Sequence, residues 1–161
     1  MIIQYILVLP MNRAIELSSI STGGPFGAVI VDSTGNIIGE GHNEVAVNND
    51  PTAHAEVVAI RRACANSNNF SLAGCTIYTS CEPCPMCLAA CYWARLDKIY
   101  YANTRQDAAD ISFDDRYIYD EIKKDNDKRA MPIIQIEDED NKTIAKKIFT
   151  DWYNNSKNIR Y

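Results

Sequence analysis

Two short motifs restrict this chain more than any other feature: DPTAHAE at residues 50–56 and TSCEPCPMC at residues 79–87. In CPMC, Cys84 and Cys87 are three positions apart, so on a helical turn both thiols can reach one ion at about 2.3 Å, provided the helix begins there. Pro83 just ahead favours such a start. A helix N-terminus also lowers thiol pKa values, which suits a thiolate pair. A CxxC alone reads as a zinc pair, a redox pair or a structural accident, and without a thioredoxin-like context zinc is favoured. His54 and Glu56 stand two positions apart and do not share a helix face, so they cannot grip a metal from the side of a helix. They can act from its end, with His54 as a ligand and Glu56 facing the ligand opposite.

Three protein ligands leave the fourth tetrahedral position to water, the mark of a catalytic rather than a structural zinc. Two thiolates formally cancel the charge of the ion, so the metal alone acidifies that water less than an all-histidine site would. A base is needed, and Glu56 is the proton shuttle this pattern provides.

A chain of 161 residues is long enough to close one core, and it is read as a single domain over residues 1–161. Met11 to Ser19 reads as the end of an opening helix that GGPFG terminates. FGAVIVD and NIIGEGHN form a β-hairpin around Asp32-Ser33-Thr34-Gly35. HAEVVAIRRACANS has helical periodicity, CTIYTS reads as a strand, CPMCLAACYWAR as a helix and KIYYAN as a strand. Alternation of this kind predicts an α/β sheet with helices on its faces. Residues 104–131 are polar and expected to hold a short helix and loops. MPIIQIE is expected to be a last strand, followed by a closing helix in which Ile144, Ile148 and Trp152 recur every fourth position.

The net charge of −5 argues against a nucleic-acid surface, which relies on Lys and Arg to displace counterions. MIIQYILVLP lacks the basic start and cleavage site of a signal peptide and is too short to span a bilayer, so a cytoplasmic protein without membrane partners is expected. In that setting the six cysteines stay reduced, and Cys64, Cys75 and Cys91 read as small buried apolar residues.

H-x-E followed by P-C-x-x-C is the established signature of zinc nucleobase deaminases, and assigning the motif rests on that known pattern. With GGPFGAVIV, EGHNEV, NDPTAHAEVVAIRRAC, YTSCEPCPMCLAACYWAR and FDDRYIY added, residues 12–120 resemble the bacterial guanine deaminases of the cytidine deaminase superfamily. The resemblance implies a three-layer α/β/α sandwich with a mixed central sheet, one zinc per subunit held by His54, Cys84 and Cys87, and Glu56 as the proton shuttle. The implied reaction is hydrolytic deamination of guanine to xanthine and ammonia, with zinc-activated hydroxide attacking C2. Asn43 matches the amide that reads the purine edge, Phe26 the aromatic that packs on the base, and Ala55 the backbone beside it. Asp115, Tyr161 and Trp93 match groups that close the pocket. A homodimer is implied too, in which the C-terminal segment, about residues 135–161, is open to exchange, so that Asp115 and Tyr161 of one pocket come either from its own chain or from the partner.

Other readings stand beside this one. A guanosine or other nucleoside deaminase needs only an open edge for the ribose. The tRNA adenosine deaminases share the zinc motifs but need an electropositive face, which this acidic chain lacks. A non-catalytic zinc module would close the site with Cys81 or Cys91 as a fourth thiolate and would have no use for Glu56. Without the resemblance, Phe26 and Trp93 read as core aromatics, Asn43 as a turn cap and Asp115 as a solvated acid.

Overall fold

The computed structural model describes residues 2–160, with side chains from Val8 onward. Its contacts divide into two compact units, Met1–Ile118 and Tyr119–Tyr161. The first holds α1 (Ile2–Ile20), β1 (Gly27–Val31), β2 (Ile37–His42), α2 (Val45–Asn48), α3 (Ala55–Ser67), β3 (Thr76–Cys81), α4 (Pro85–Trp93), β4 (Lys98–Asn103) and α5 (Arg105–Asp110). A further helix, α6 (Arg116–Lys123), spans the boundary, and α7 (Glu139–Asn154) lies in the second unit.

The four strands lie in the order β2-β1-β3-β4. β1 is antiparallel to both β2 and β3, while β3 and β4 are parallel, so the sheet is mixed. The expected hairpin forms with Gly27 opposite His42. Its turn is held by the Asp32 carboxylate, which accepts from the Thr34 and Asn36 backbone N–H groups at 2.9 and 3.0 Å. Every residue of β1, GAVIV, is buried, as a continuous apolar strand covered on both faces should be.

The two faces take alternate residues of β1. Val29 and Val31 pack with Tyr78 against Ala14 and Leu17 of α1. Ala28 and Ile30 pack with Ile77 against Ala55, Ala59 and Ala63 of α3 and Cys91 and Ala94 at the end of α4. Helix, sheet and helix thus form the three layers that the resemblance implies. Two glycines let α3 sit close to β2: a Cβ on Gly39 would lie 2.5 Å from the Ala59 carbonyl oxygen, and one on Gly41 2.3 Å from that of Ala55. Small residues on both sides of this contact bring the N-terminal end of α3, and with it His54 and Glu56, down to the sheet.

The opening helix runs from Ile2 through Pro10 to Ile20, so it includes the apolar N-terminal run left unassigned on sequence. No helix among the described residues is long and apolar enough to cross a membrane.

In the second unit the closing helix forms as α7. Asp138 caps it by accepting from the Asn141 N–H at 2.9 Å, and Glu139 and Asp140 occupy its first turn, where the helix dipole favours acids. The expected strand MPIIQIE does not form: residues 131–138 belong to no sheet. Apolar, β-branched composition selects extended backbone, but a strand also needs a neighbouring strand to take up its N–H and C=O groups, and among the described residues none pairs with this segment, whose Ile133 N–H donates instead to the Asn126 carbonyl at 3.3 Å.

Candidate active site

The two motifs meet at the carboxyl end of β3, where α/β sheets commonly place their ligands. Cys84 follows β3 and is the N-cap of α4, with extended backbone (φ −65°, ψ 169°). Pro85 is the first helical residue, so the proline that starts this helix lies between the cysteines rather than at Pro83, which precedes both. His54 is likewise the N-cap of α3 (φ −66°, ψ 154°). It is delivered by a turn in which the Asp50 carboxylate accepts from the Thr52 N–H at 2.8 Å and the Ala53 N–H reaches the Asp50 carbonyl at 3.0 Å. Two helix N-termini therefore converge from separate segments, and the histidine grips from a helix end.

His54 Nδ1 lies 3.6 Å from Cys84 Sγ and 3.5 Å from Cys87 Sγ, and all three donor atoms are within 4.8 Å of one another. A tetrahedral zinc with ordinary bonds of about 2.3 Å to sulfur and 2.1 Å to nitrogen would place N and S about 3.6 Å apart. The donor set and its spacing therefore fit zinc. Hydrogen bonding from the Cys87 thiol, aided by His54, holds the Cys84 thiol down at about 4. The shared proton keeps Cys87 well above the usual thiol range, because Cys84 is its partner and the site is buried. His54 is raised, chiefly by Cys84.

Glu56 is 6% exposed. Its Oε2 accepts from the Cys87 thiol at 3.4 Å and its Oε1 from the Thr79 hydroxyl at 3.3 Å. Burial raises its pKa above the ordinary carboxylate value. A buried carboxylate with a strengthened hold on a proton, beside a metal triad, is suited to general base work.

A cavity of about 340 Å³ opens onto this group, lined by His54, Glu56 and Cys84 together with Phe26, Asn43 and Asp115. The Phe26 ring meets Phe113 edge to face, with centroids 5.0 Å apart at 86°. Asn43 is buried, and its side-chain oxygen accepts from the Val45 N–H at 3.1 Å, which leaves the amide NH₂ as the group to donate. Asp115, raised by burial, lines the cavity within its own chain. Ala55 is fully buried between His54 and Glu56. Trp93 is 71% exposed at the end of α4 and is not among the residues lining this cavity. Tyr161 lies outside the described residues.

Neither sulfur proposed as a fourth ligand joins the triad among the described residues. Cys81 is turned toward the Thr104 carbonyl at 3.5 Å and pushed up to about 11 by burial, and Cys91 is pushed up to about 12 by burial. The closed four-ligand site of a purely structural zinc module is therefore not built here.

Sequence reasoning passed over Phe113, Glu82 and Arg105 as site residues, although all three line the cavity. Phe113 was legible only as the first letter of FDD, and Glu82 only as the letter between Cys81 and the zinc motif. Nothing local marked Arg105.

Residues 8–103 match the family described as the cytidine and deoxycytidylate deaminase zinc-binding region. The chain is 52% identical over 130 residues to the guanine deaminase of Bacillus subtilis, covering 78% of this chain and 83% of that protein. It is 46% identical over 77 residues to the tRNA-specific adenosine deaminase of Haemophilus influenzae, covering 48% of this chain and 44% of that one. In structure it is similar to an X-ray structure of guanine deaminase from Bacillus subtilis, with a TM-score of 0.87, 46% identity, and 94% and 96% of the two chains covered. A metal triad spanning two helix N-termini, on a mixed sheet shared at this level of identity, shows that the chain belongs to the cytidine and deoxycytidylate deaminase family.

Proposed function

We propose that the protein catalyses hydrolytic deamination of guanine to xanthine and ammonia. The observation that carries the reading is Glu56, buried in contact with Cys87 of the metal triad and facing the same aromatic cavity. Similarity to guanine deaminases over most of the chain directs the choice of base. His54, Cys84 and Cys87 would hold one zinc per subunit, and zinc when bound supplies the Lewis acidity that makes water a nucleophile near neutrality.

The remaining chemistry belongs to the chain. Phe26 and Phe113 offer apolar faces to a planar purine, and the Asn43 NH₂ donates to an acceptor on its edge. Glu56 takes one proton as the water oxygen bonds to C2, and returns it to the exocyclic nitrogen. The C2–N bond then breaks, the electron pair leaves on nitrogen as ammonia, and the remaining water proton passes from the C2 hydroxyl to ring N3, which leaves the C2 carbonyl of xanthine. Asp115 holds the open side of the base, with the Ala55 backbone beside it.

The working form in this reading is a cytoplasmic homodimer that acts on a free purine, without nucleic-acid or membrane partners. Residues of about 135–161 are exchanged, so that Tyr161 closes the partner's pocket, and Trp93 lies where a partner subunit can reach it. In support, Ile134 is 83%, Ile144 58% and Ile148 60% exposed, apolar surface that a second copy could cover.

Steady-state assay of the zinc-loaded protein against guanine, guanosine, cytosine, cytidine and adenine tests the proposal. Guanine is expected to be the preferred substrate. Turnover of guanosine at equal kcat/KM would move the reading to a nucleoside deaminase, and absence of guanine turnover overturns it.

A further inference from the structure

We infer that Glu82 and Arg105 form a positioning clasp, which ties the metal-ligand arm to the Arg105–Asp115 wall of the cavity and so sets the width of the substrate slot. The inference rests on the guanine reading for its substrate but not for its geometry. Glu82 lies two residues before Cys84, and its side chain is 20% exposed. Its Oε2 accepts from the Arg105 backbone N–H at 3.1 Å, and its Oε1 accepts from Arg105 Nε at 3.1 Å and also from Nη2. A lone surface ion pair is worth little. This one differs, because three donors from a single residue, one of them backbone, converge on one carboxylate, and charge-assisted hydrogen bonds are stronger than neutral ones.

What the clasp connects gives it a role beyond stability. The wall carrying Phe26 is already fixed to the sheet: the Gly27 N–H donates to the Ser80 hydroxyl at 3.0 Å and the Asn43 N–H to the Phe26 carbonyl at 3.1 Å. The opposite wall is the segment from Arg105 to Asp115. It turns back through Ser112, at φ +73°, and is closed by the Phe113 N–H on the Ala108 carbonyl at 3.0 Å. Those bonds are internal to the segment. Its tether to the metal arm is made by the Glu82 N–H on the Asn103 carbonyl at 2.8 Å, the Cys81 thiol on the Thr104 carbonyl, and the three bonds from Arg105 to Glu82. Of these bonds between described residues, the last set begins inside α5. Its loss lets Phe113 and Asp115 shift against Phe26 while leaving His54, Cys84, Cys87 and Glu56 in place.

The test compares Glu82→Ala and Arg105→Ala with the parent, as full-length zinc-loaded protein. Arg105→Ala keeps the carboxylate beside Cys84 and serves should Glu82→Ala fold poorly. Three readouts are taken: zinc content, peptide-level amide hydrogen exchange, and kcat and KM for guanine. Expected are unchanged zinc content, faster exchange over residues 105–115 with unchanged exchange over 84–91, and a KM raised by about tenfold with kcat within about twofold, since a displaced binding wall weakens substrate positioning without removing the base. Exchange and KM equal to the parent's overturn the clasp. So does loss of zinc with faster exchange over 84–91, which would make the pair a support of the metal arm alone. A parent protein inert toward guanine would instead sink the substrate reading, and the exchange pattern would still decide the clasp.

Discussion

Glu56 Oε2 lies 3.4 Å from Cys87 Sγ although the two residues belong to different helices, α3 and α4. The carboxylate and the innermost metal ligand are thus in direct contact in the chain itself, with the Thr79 hydroxyl of β3 steadying the other carboxylate oxygen at 3.3 Å. Glu56 is thereby held on the metal side of the cavity, where a proton has to be taken up and released.

Replacing Glu56 with Gln keeps the shape of the side chain and removes its basicity. Zinc content should match the parent, while kcat falls by about 10²- to 10⁴-fold, the usual worth of a positioned general base. Metal analysis beside steady-state kinetics checks this. A variant that retains its rate would remove Glu56 from the mechanism.

Zinc uptake should release protons and weaken as pH falls. In the metal-free site Cys87 keeps its proton well above the usual range and His54 is raised, whereas Cys84 at about 4 is already a thiolate near neutrality. Ligands must lose their protons to bind, so near neutrality the thiol proton leaves from Cys87 rather than from Cys84. Calorimetric titration with zinc in buffers of different ionisation enthalpy measures the number released, and a value of zero contradicts the arrangement.

Gly41→Ala should loosen the seat of α3. The added methyl would stand 2.3 Å from the Ala55 carbonyl oxygen and 2.7 Å from the Ala59 nitrogen, both backbone atoms that cannot rotate away. Overpacking of this kind costs about 1–3 kcal/mol. Since Ala55 adjoins both His54 and Glu56, zinc affinity should drop together with stability. Urea unfolding and zinc titration of the variant report the two effects.

Stability should fall in acid partly through Glu40. Its carboxylate receives Arg13 Nε at 2.8 Å and Nη2 at 3.0 Å, and this partner lowers its pKa from the ordinary 4.5. A depressed carboxylate stabilises the fold above the unfolded-state value, and that contribution is lost as pH falls through the folded-state value. Glu40→Gln should therefore be destabilising at neutral pH and nearly neutral well below pH 4.5, as urea midpoints at the two pH values would show. An equal penalty at both would mean that the pair contributes by shape rather than charge.

The local elements were legible because they follow from short-range chemistry. GAVIV is apolar throughout and could only be a strand covered on both sides, and CPMC and HAE carried the types and spacings of ligands and base whatever their surroundings. The failure of MPIIQIE is instructive: its composition favours extended backbone, yet a strand exists only beside another strand, and no property of those seven residues supplies one.

By itself, then, the sequence determined which residues can ligate, which can carry a proton, and where helices begin, since these depend on side-chain type and on neighbours within a turn. Only the tertiary structure decided that Phe113 would meet Phe26, that Arg105 would reach back to Glu82, that Asp115 would line its own chain's cavity, and that Cys81 would turn to Thr104 and away from the metal. Those outcomes depend on strand order and on how closely helices approach the sheet. Contacts between residues far apart in the chain come into being only when the sheet register and the helix seats are set together.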